Sequence, residues 1–276
     1  MDYTREHWKY MLIGTLVLCA GLIWYSVQSQ KPRQRVTVSF LSVGEGDAAL
    51  IQGKSGEQVL IGAGPNRDTL TALGKALPFF DRTLDLVIEL YPDNHNTGGI
   101  PDVLNRFTVH LVAYPNQSVE NTIDDEIQRI VREKEIKVLA VSAGTQIKFR
   151  EGSLLTVLSA KAGKSTILKY EYGNTCFLFM GSSGGGDEGR FIDEHGDVHC
   201  QVLVAGSHGS KSATSEALLR TVKPEYAVFS NSKDNRYEYP DPEVFERLKV
   251  YNVQALNTLD NGTITFESDG KNIWTK

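Results

Sequence analysis

Short strand-like runs separated by glycine turns dominate the sequence from residue 36 onward. In the first half, Val36–Leu41, Ala48–Gln52 and Gln58–Ile61 follow one another across glycine-containing turns, the pattern of successive hairpins. The second half repeats this pattern in five further runs: Lys137–Val141, Gln146–Phe149, Leu154–Leu158, Thr166–Tyr172 and Thr175–Met180. Helical periodicity flanks each strand-rich half. The arrangement predicts an α/β (α+β) fold in which two sheets pack together and helices cover their outer faces.

The remaining elements fit the same plan. Leu84–Leu90 is almost continuously apolar, which is typical of a strand buried on both faces. Further strands are predicted at Val109–Ala113, Tyr226–Phe229, Thr263–Phe266 and Asn272–Trp274. Apolar residues at helical spacing predict helices at Asp68–Leu77, Ile100–Asn105, Ile123–Arg132, Ser215–Val222 and Pro242–Val250. The glycine-rich segment Ser182–Gly186 is predicted to be a flexible loop.

The N-terminal segment predicts a membrane anchor. Met11–Val27 contains no charge and no proline over a length close to the roughly 20 residues of a membrane span. Aromatic residues at both ends suit the two membrane interfaces: Trp8, Tyr10, Trp24 and Tyr25. The competing interpretation is a cleaved signal peptide, but the bulky sequence WYSVQSQ makes a poor cleavage site. We therefore predict a single-pass cell-membrane protein with an anchor at residues 1–30 and one domain at 31–276, which contacts the membrane through residues 11–27.

The charge of the chain limits its partners. The formal net charge is −5, and the domain after the anchor carries all of it. This balance argues against a protein that holds nucleic acid by bulk charge, although it leaves room for a local basic patch. Two basic residues precede the apolar segment and three follow it closely, so the positive-inside rule decides little about orientation.

Five segments together carry a family resemblance. They are Phe40–Ala48 (FLSVGEGDA), Val59–Gly64 (VLIGAG), Tyr91–Gly99 (YPDNHNTGG), Ser207–Lys211 (SHGSK) and Asn235–Val244 (NRYEYPDPEV). In order and spacing they resemble the metallo-β-lactamase-like domain of ComEC, a competence protein of the DNA-uptake channel, over residues 36–270. The resemblance implies a four-layered αββα metallo-β-lactamase sandwich, here preceded by one transmembrane helix. It also implies a metal site at one edge between the sheets, which in family members is a binuclear hydrolase centre.

Most of the family's ligand positions hold other residues in this sequence. The degenerate positions are Tyr91, Asp93, His95, Asn96, Ser182, Ser207 and Tyr239. Gly62 stands where the family has an aspartate that orders the site, whereas the turn glycines remain. Retained turns with lost ligands predict a retained fold without its chemistry. The leading prediction is therefore an inactive homologue with no metal cofactor and no confident catalytic residue.

The alternative is a rewired hydrolase, a nuclease or phosphodiesterase that uses zinc or manganese. Its metal ligands would be Asp93, His95 and His208, with Asp47 and His208 as the catalytic candidates. A catalytic zinc site usually has three protein ligands of defined geometry, which this set only partly supplies. The blander interpretations are that Asp47 caps backbone amides at a sharp turn and that His208 is a hydrogen-bonded loop histidine.

The resemblance also suggests partners and a location. It implies an extracytoplasmic domain that binds or scaffolds in DNA uptake or in the cell envelope, with DNA contacts at Lys211, Lys233 and Arg236. In the envelope-assembly version, Tyr91 and Tyr239 offer aromatic surface to a competence or envelope protein.

Two further motifs carry less information. Lys161–Thr166 ends in GKST but lacks the upstream glycine of a phosphate-binding loop, so no nucleotide cofactor is predicted. Cys176 and Cys200 fit small strand residues, and a disulfide between them is left open.

Overall fold

The computed structural model describes residues 3–29, 34–91, 93–115, 122–160, 165–233, 235 and 237–276. The chain divides into two compact units, residues 1–33 and residues 34–276. The first unit contains one helix, α1 (Tyr3–Ser29). Within α1, His7–Tyr25 is long and apolar enough to cross a membrane, with a mean hydropathy of 1.4. Its described side chains are exposed, and apolar residues lie on every side of it, which is typical of a helix that lies in a membrane.

The second unit is built on two large sheets. In the described residues the first sheet has eight strands in the order β17-β16-β1-β2-β3-β5-β7-β8. These strands are β1 (Val36–Phe40), β2 (Ala49–Gln52), β3 (Gln58–Ile61), β5 (Leu86–Ile88), β7 (Leu111–Pro115), β8 (Lys137–Val141), β16 (Ile264–Ser268) and β17 (Ile273–Thr275). Strands β3, β5, β7 and β8 run parallel to one another. A short parallel pair lies beside them, formed by β4 (Thr83–Leu84) and β6 (Thr108–Val109).

The second sheet has seven described strands in the order β15-β14-β13-β12-β11-β10-β9. They are β9 (Gln146–Lys148), β10 (Leu154–Ser159), β11 (Ile167–Tyr172), β12 (Thr175–Phe179), β13 (Val202–Val204), β14 (Tyr226–Phe229) and β15 (Gln254–Asn257). Strands β12 to β15 are parallel. A disulfide joins Cys176 in β12 to Cys200, two residues before β13, so the pairing left open by the sequence is present.

Helices cover both outer faces of this pair of sheets. They are α2 (Asp68–Ala76), α3 (Asn94–Thr97), α4 (Ile100–Arg106), α5 (Thr122–Glu133), α6 (Gly185–His195), α7 (Glu216–Val222), α8 (Pro242–Val250) and α9 (Thr258–Asn261). The inner faces meet around an aromatic cluster in which the Phe40 and Phe266 rings pack edge to face with centroids 5.9 Å apart. Separate apolar clusters join α2, α4 and α5 to the first sheet and α6, α7 and α8 to the second. The predicted four-layered αββα arrangement is confirmed.

Three local predictions were wrong. Val109–Ala113 is divided between β6 and β7, with His110 between the two strands. Leu84–Leu90 is two strands rather than one, because Asp85 interrupts the run and its carboxylate accepts a hydrogen bond from the Gln58 amide at 2.8 Å. Ser182–Gly186 is not simply a flexible loop, because α6 begins at Gly185 and its first amides bond back to Gly184. In the segment ending in GKST, residues 161–164 lie outside the described residues.

Candidate functional site

The fold gathers the motif loops at one edge of the two sheets. The carboxyl ends of the parallel strands β12, β13 and β14 lie in register, so the loops that follow them emerge side by side. The loop after β5 approaches from the first sheet, and the Thr166 amide donates to the Leu90 carbonyl oxygen at 2.8 Å. We refer to the space between the loops at residues 41–48, 89–91, 93–99, 180–183, 206–210, 230–233 and 237–240 as the cleft. Loops at the carboxyl ends of parallel strands are where α/β folds commonly place ligands.

Asp47 lies buried at the base of the cleft with 6% of its surface exposed. Burial raises the pKa of its carboxyl group, nearby Asp93 adds to that rise, and the His208 imidazole opposes it. The nearby Ser230 hydroxyl also opposes the rise in the Asp47 pKa, because it favours the charged carboxylate. The two candidate catalytic residues, Asp47 and His208, are close enough to interact electrostatically.

The loop after β5 holds four of the degenerate positions. Asp93 caps α3, and its Oδ1 accepts from the Asn96 amide at 2.8 Å and from Asn96 Nδ2 at 2.9 Å. Asn96 is fully buried and also donates from Nδ2 to Ser182 Oγ at 3.2 Å. His95 is exposed and places Nδ1 3.2 Å from the Glu45 carbonyl oxygen. Tyr91 is half-buried. The Asp93 carboxylate thus serves the backbone and an amide side chain.

The loops after β12 and β13 bring the serines together. Ser207 donates from Oγ to the Ser182 carbonyl oxygen at 2.9 Å and contacts that of Ser183 at 3.2 Å. Ser207 and His208 both have positive φ, at 46° and 54°, which marks a tight turn of the backbone. The His95 and His208 ring centroids are 6.2 Å apart. His208 Nδ1 is buried and has no recorded hydrogen-bond partner among the described residues.

The mouth of the cleft is aromatic. Tyr239 is half-buried and stacks on Tyr237 with ring centroids 5.4 Å apart, and Tyr237 itself is 60% exposed. Of the residues predicted to contact DNA, Lys211 and Lys233 are exposed, whereas Arg236 lies outside the described residues.

The donors in the cleft do not fit the binuclear metal centre that the family resemblance implies. Among the described residues, no group of three or more histidine, cysteine, aspartate or glutamate side chains is placed to hold a metal ion. Asp93 is engaged by its own helix, and Asn96, Ser182 and Ser207 offer neutral oxygen or nitrogen atoms in place of imidazole or carboxylate. A catalytic zinc site needs about three such protein ligands and an open position.

The backbone at Gly62 leaves no room for the carboxylate residue that orders the site in the family. It has φ of +65°, and a Cβ atom built on it would overlap the Asp47 carbonyl oxygen and lie 3.1 Å from the Asp47 carbonyl carbon. The backbone here is arranged for glycine. A larger residue would push on the segment that carries Asp47.

The Ser207 hydroxyl is engaged by the backbone of the neighbouring loop. The Asp47 carboxylate and the His208 imidazole interact electrostatically, whereas the Ser207 hydroxyl donates to backbone carbonyl oxygens. Nucleophilic catalysis requires the hydroxyl to bond to its base.

Two buried carboxylates near the cleft were not predicted from the sequence. Glu89, directly after β5, is 3% exposed, and burial, reinforced by Asp124 and Asp93, raises its pKa to about 8. The signal was an acid inside an otherwise apolar run. Glu188 is fully buried on α6 and accepts from the amides of Thr214 at 2.5 Å and Ser215 at 2.9 Å.

Arg247 completes this support from α8. It donates from Nη2 to the Lys211 carbonyl oxygen at 2.8 Å and from Nη1 to that of Ala213 at 3.0 Å. Glu188 and Arg247 together hold the segment that follows His208, which fixes one wall of the cleft.

Comparisons with known proteins agree with this architecture. No family model matches the chain. The chain is 28% identical over 262 residues to Recombination protein 2 of Haemophilus influenzae, which covers 91% of this chain and 31% of that protein. It is 26% identical over 192 residues to ComE operon protein 3 of Bacillus subtilis, covering 67% and 25%. It is 33% identical over 105 residues to competence protein ComA of Neisseria gonorrhoeae, covering 38% and 15%. The chain thus spans less than a third of the length of each relative.

Solved structures with similar backbones share little sequence. The metallo-β-lactamase fold protein YhfI from Bacillus subtilis superposes with a TM-score of 0.63 at 11% identity, covering 85% of this chain and all of that one. Zn²⁺-bound PqqB from Methylobacterium extorquens gives a TM-score of 0.54 at 9% identity, covering 79% and 85%.

The two sheets with helices outside, and the cleft at the ends of their parallel strands, define a protein of the metallo-β-lactamase fold. Its sequence relatives are competence and recombination proteins. Within this fold class, the chain carries a ComEC-like domain.

Proposed function

We propose that this chain is a membrane-anchored, catalytically inactive ComEC-like protein that binds or scaffolds in DNA uptake. The observation that supports the loss of catalysis is that the polar side chains at the former ligand positions hydrogen-bond to one another and to the backbone. Asp93 bonds to Asn96, Asn96 bonds to Ser182, and Ser207 bonds to the chain around Ser182. Groups committed to one another in this way are not arranged to converge on an ion.

The connection with DNA uptake is supported by the names of the relatives. Two of them are designated competence or competence-operon proteins and one a recombination protein. Because the chain spans only part of each, the activities of the whole relatives are not transferred to it. What we carry over is the pathway in which the domain acts.

The disulfide supports an extracytoplasmic domain. Structural disulfides form and persist in oxidising compartments and are rare in the reducing cytosol. Cys176 and Cys200 are both buried, and the bridge joins β12 to the segment just before β13. Together with a helix long and apolar enough to span a bilayer, this favours a single-pass protein whose domain lies outside the cytoplasm.

A thiol count tests this location. Cells that produce the full chain are lysed in denaturant containing a maleimide that adds visible mass. One modified thiol, Cys19, is expected before reduction and three afterwards, because Cys19 is a free cysteine. Three modified thiols without reduction would contradict the extracytoplasmic assignment.

Metal content and turnover test the inactivity. The purified full chain is loaded with Zn²⁺ or Mn²⁺, dialysed, assayed for bound metal by elemental analysis and for cleavage of labelled DNA. We expect substoichiometric metal and no cleavage above a buffer control.

The rewired hydrolase is the competing outcome of the same experiment. It requires stoichiometric metal and cleavage that a chelator abolishes. Substituting either His95→Ala or His208→Ala should then remove both metal and activity, whereas Tyr237→Phe at the cleft mouth should retain them. That combination would overturn the proposal.

A further inference from the structure

A second cavity, separate from the cleft, lies on the helical layer that covers the first sheet. Its volume is about 460 Å³, and it is lined by Arg67, Leu70, Thr71, Arg82, Arg106 and Phe107. Three guanidinium-bearing residues therefore face one space. We call this cavity the arginine pocket.

The fold brings these arginines together from distant points in the sequence. Arg67 directly precedes α2, and Arg106 is the last residue of α4. Arg82 precedes β4, whose parallel pairing with β6 sets Thr83 opposite Thr108 and so places Arg82 beside Phe107. The Arg82 guanidinium lies 5.8 Å from the centre of the Phe107 ring, which holds it over an apolar floor.

The arginine pocket keeps a positive charge in a chain whose formal net charge is −5. Arg67 pairs with Asp102 at 3.3 Å, and Arg82 donates to the Asp81 backbone carbonyl oxygen at 2.7 Å. Within the part of the chain that the structure describes, no carboxylate is recorded in an ion pair with Arg82 or Arg106. Two guanidinium groups thus remain available to an anionic ligand, and planar guanidinium groups suit phosphate oxygens.

An exposed aromatic pair lies close to this charge in the sequence. Phe79 and Phe80 are 76% and 73% exposed, and their rings meet edge to face with centroids 5.0 Å apart. Only one residue separates Phe80 from Arg82, so the aromatic pair lies within about 10 Å of that arginine's backbone. Two neighbouring phenylalanines left this exposed are unusual on a surface that has no partner.

We infer that the arginine pocket binds the phosphodiester backbone of single-stranded nucleic acid, while Phe79 and Phe80 stack on its bases. A positively charged groove with adjacent aromatic rings is the combination by which proteins hold single strands without reading their sequence. The inference rests on the proposed role in DNA uptake for its ligand, but it moves the contact from the cleft to the helical face. The net negative charge of the remaining chain disfavours contact elsewhere by bulk attraction.

Binding of a labelled single-stranded oligonucleotide to the full chain in neutral detergent, measured by fluorescence anisotropy across a salt series, tests this inference. Arg106→Gln is the informative variant because Arg106 is exposed and makes no recorded ion pair, so the fold should tolerate the change. Arg220→Gln is the control, since Arg220 is a similarly exposed arginine on α7. We expect Arg106→Gln to weaken binding several-fold and to lower the salt slope by about 0.7, while the control changes neither.

The aromatic contribution is tested by the double variant Phe79→Ser, Phe80→Ser. Stacking is largely insensitive to salt, so this variant should weaken binding at least about fivefold with an unchanged salt slope. Photo-crosslinking of iodouracil-containing oligonucleotide, followed by peptide mapping, should mark the segment around Phe79 and Phe80.

Failure of this inference is distinguishable from failure of the proposed function. Tight oligonucleotide binding with crosslinks near His208 or Tyr239, or equal losses in Arg106→Gln and Arg220→Gln, overturns the arginine pocket and leaves a DNA-binding protein. No measurable binding of the wild-type chain overturns both. If Arg106→Gln instead weakens only the association with phosphatidylglycerol added to the micelles, the pocket faces an anionic lipid surface and the inference is overturned.

Discussion

Restoring the family's missing carboxylate should damage the fold without restoring a metal site. In Gly62→Asp the new residue must adopt a positive φ, which costs about 1 kcal/mol for a side chain that tolerates this region. Its Cβ would also overlap the Asp47 carbonyl oxygen and lie 3.5 Å from that of Asn96, so the buried segment around Asp47 must move. Overpacking of this kind costs about 1–3 kcal/mol. The expected total is about 2–4 kcal/mol, which lowers Tm by about 5–15 °C in a domain of this size.

Thermal unfolding and elemental analysis of the purified variant provide the assay. The matched control is Gly56→Asp, because Gly56 also has a positive φ, at +94°, but a Cβ there would meet no atom within 4 Å. The control isolates the conformational cost, so Gly62→Asp should lose clearly more stability. A Gly62→Asp protein as stable as the control, or one that gains stoichiometric zinc, would refute the reasoning that the loop is built around glycine.

Three further substitutions test other parts of the structure. Because the pKa of Glu89 is raised from 4.5 to about 8, the free energy of unfolding of the wild type should fall by up to about 5 kcal/mol as pH rises between those values. In urea unfolding, Glu89→Gln should show a flatter dependence of stability on pH. A pH dependence of the variant parallel to that of the wild type would count against this. Reductant should lower the wild-type Tm by an amount equivalent to about 2–4 kcal/mol, whereas the double variant Cys176→Ala, Cys200→Ala should start lower and ignore reductant. Glu188→Gln should cost about 1–3 kcal/mol in urea unfolding, because one backbone amide would face an NH₂ group. Asp193→Asn on the exposed face of α6 should cost almost nothing. Equal effects of the two variants would contradict the role of Glu188 in holding the Thr214 and Ser215 amides.

The elements with strong local signals were readable from the sequence, and short ones were not. Pro242–Val250 was predicted with its observed bounds, because apolar spacing agrees with proline at the first turn and with Asp241, whose carboxylate caps the Glu243 amide at 3.0 Å. By contrast, Val202–Val204 is only three residues long, too short for any periodicity to register. Helix α6 was missed because its opening glycines indicated a loop, and it is Glu188 that attaches the helix to the rest of the fold.

The candidate site also has a part that the sequence predicts and a part that it does not. Which ligand positions are lost is visible in the letters of the motifs. The bonds that replace them are not, because they join residues far apart in the sequence. Asn96 and Ser182 are 86 positions apart, and the Ser230 hydroxyl that influences the Asp47 carboxylate comes from a loop of the other sheet. These pairings depend on the register in which the parallel strands end, and that register follows from tertiary packing.

The polar network of the cleft distinguishes a rebuilt site from a merely decayed one. Loss of metal ligands alone would leave buried polar groups without partners, each costing about 1–3 kcal/mol. Among the described residues, no side-chain atom at the seven degenerate positions is both buried and without a hydrogen-bond partner. The bond from Asn96 to Ser182 instead links the loops of the two sheets, a connection that a shared metal ion would otherwise supply. His208 is the exception in the cleft, because its Nδ1 remains buried without a recorded partner. Any ligand that the cleft still accepts should therefore bind at His208, which makes His208→Ala the variant that best separates an inactive cleft from a rewired one.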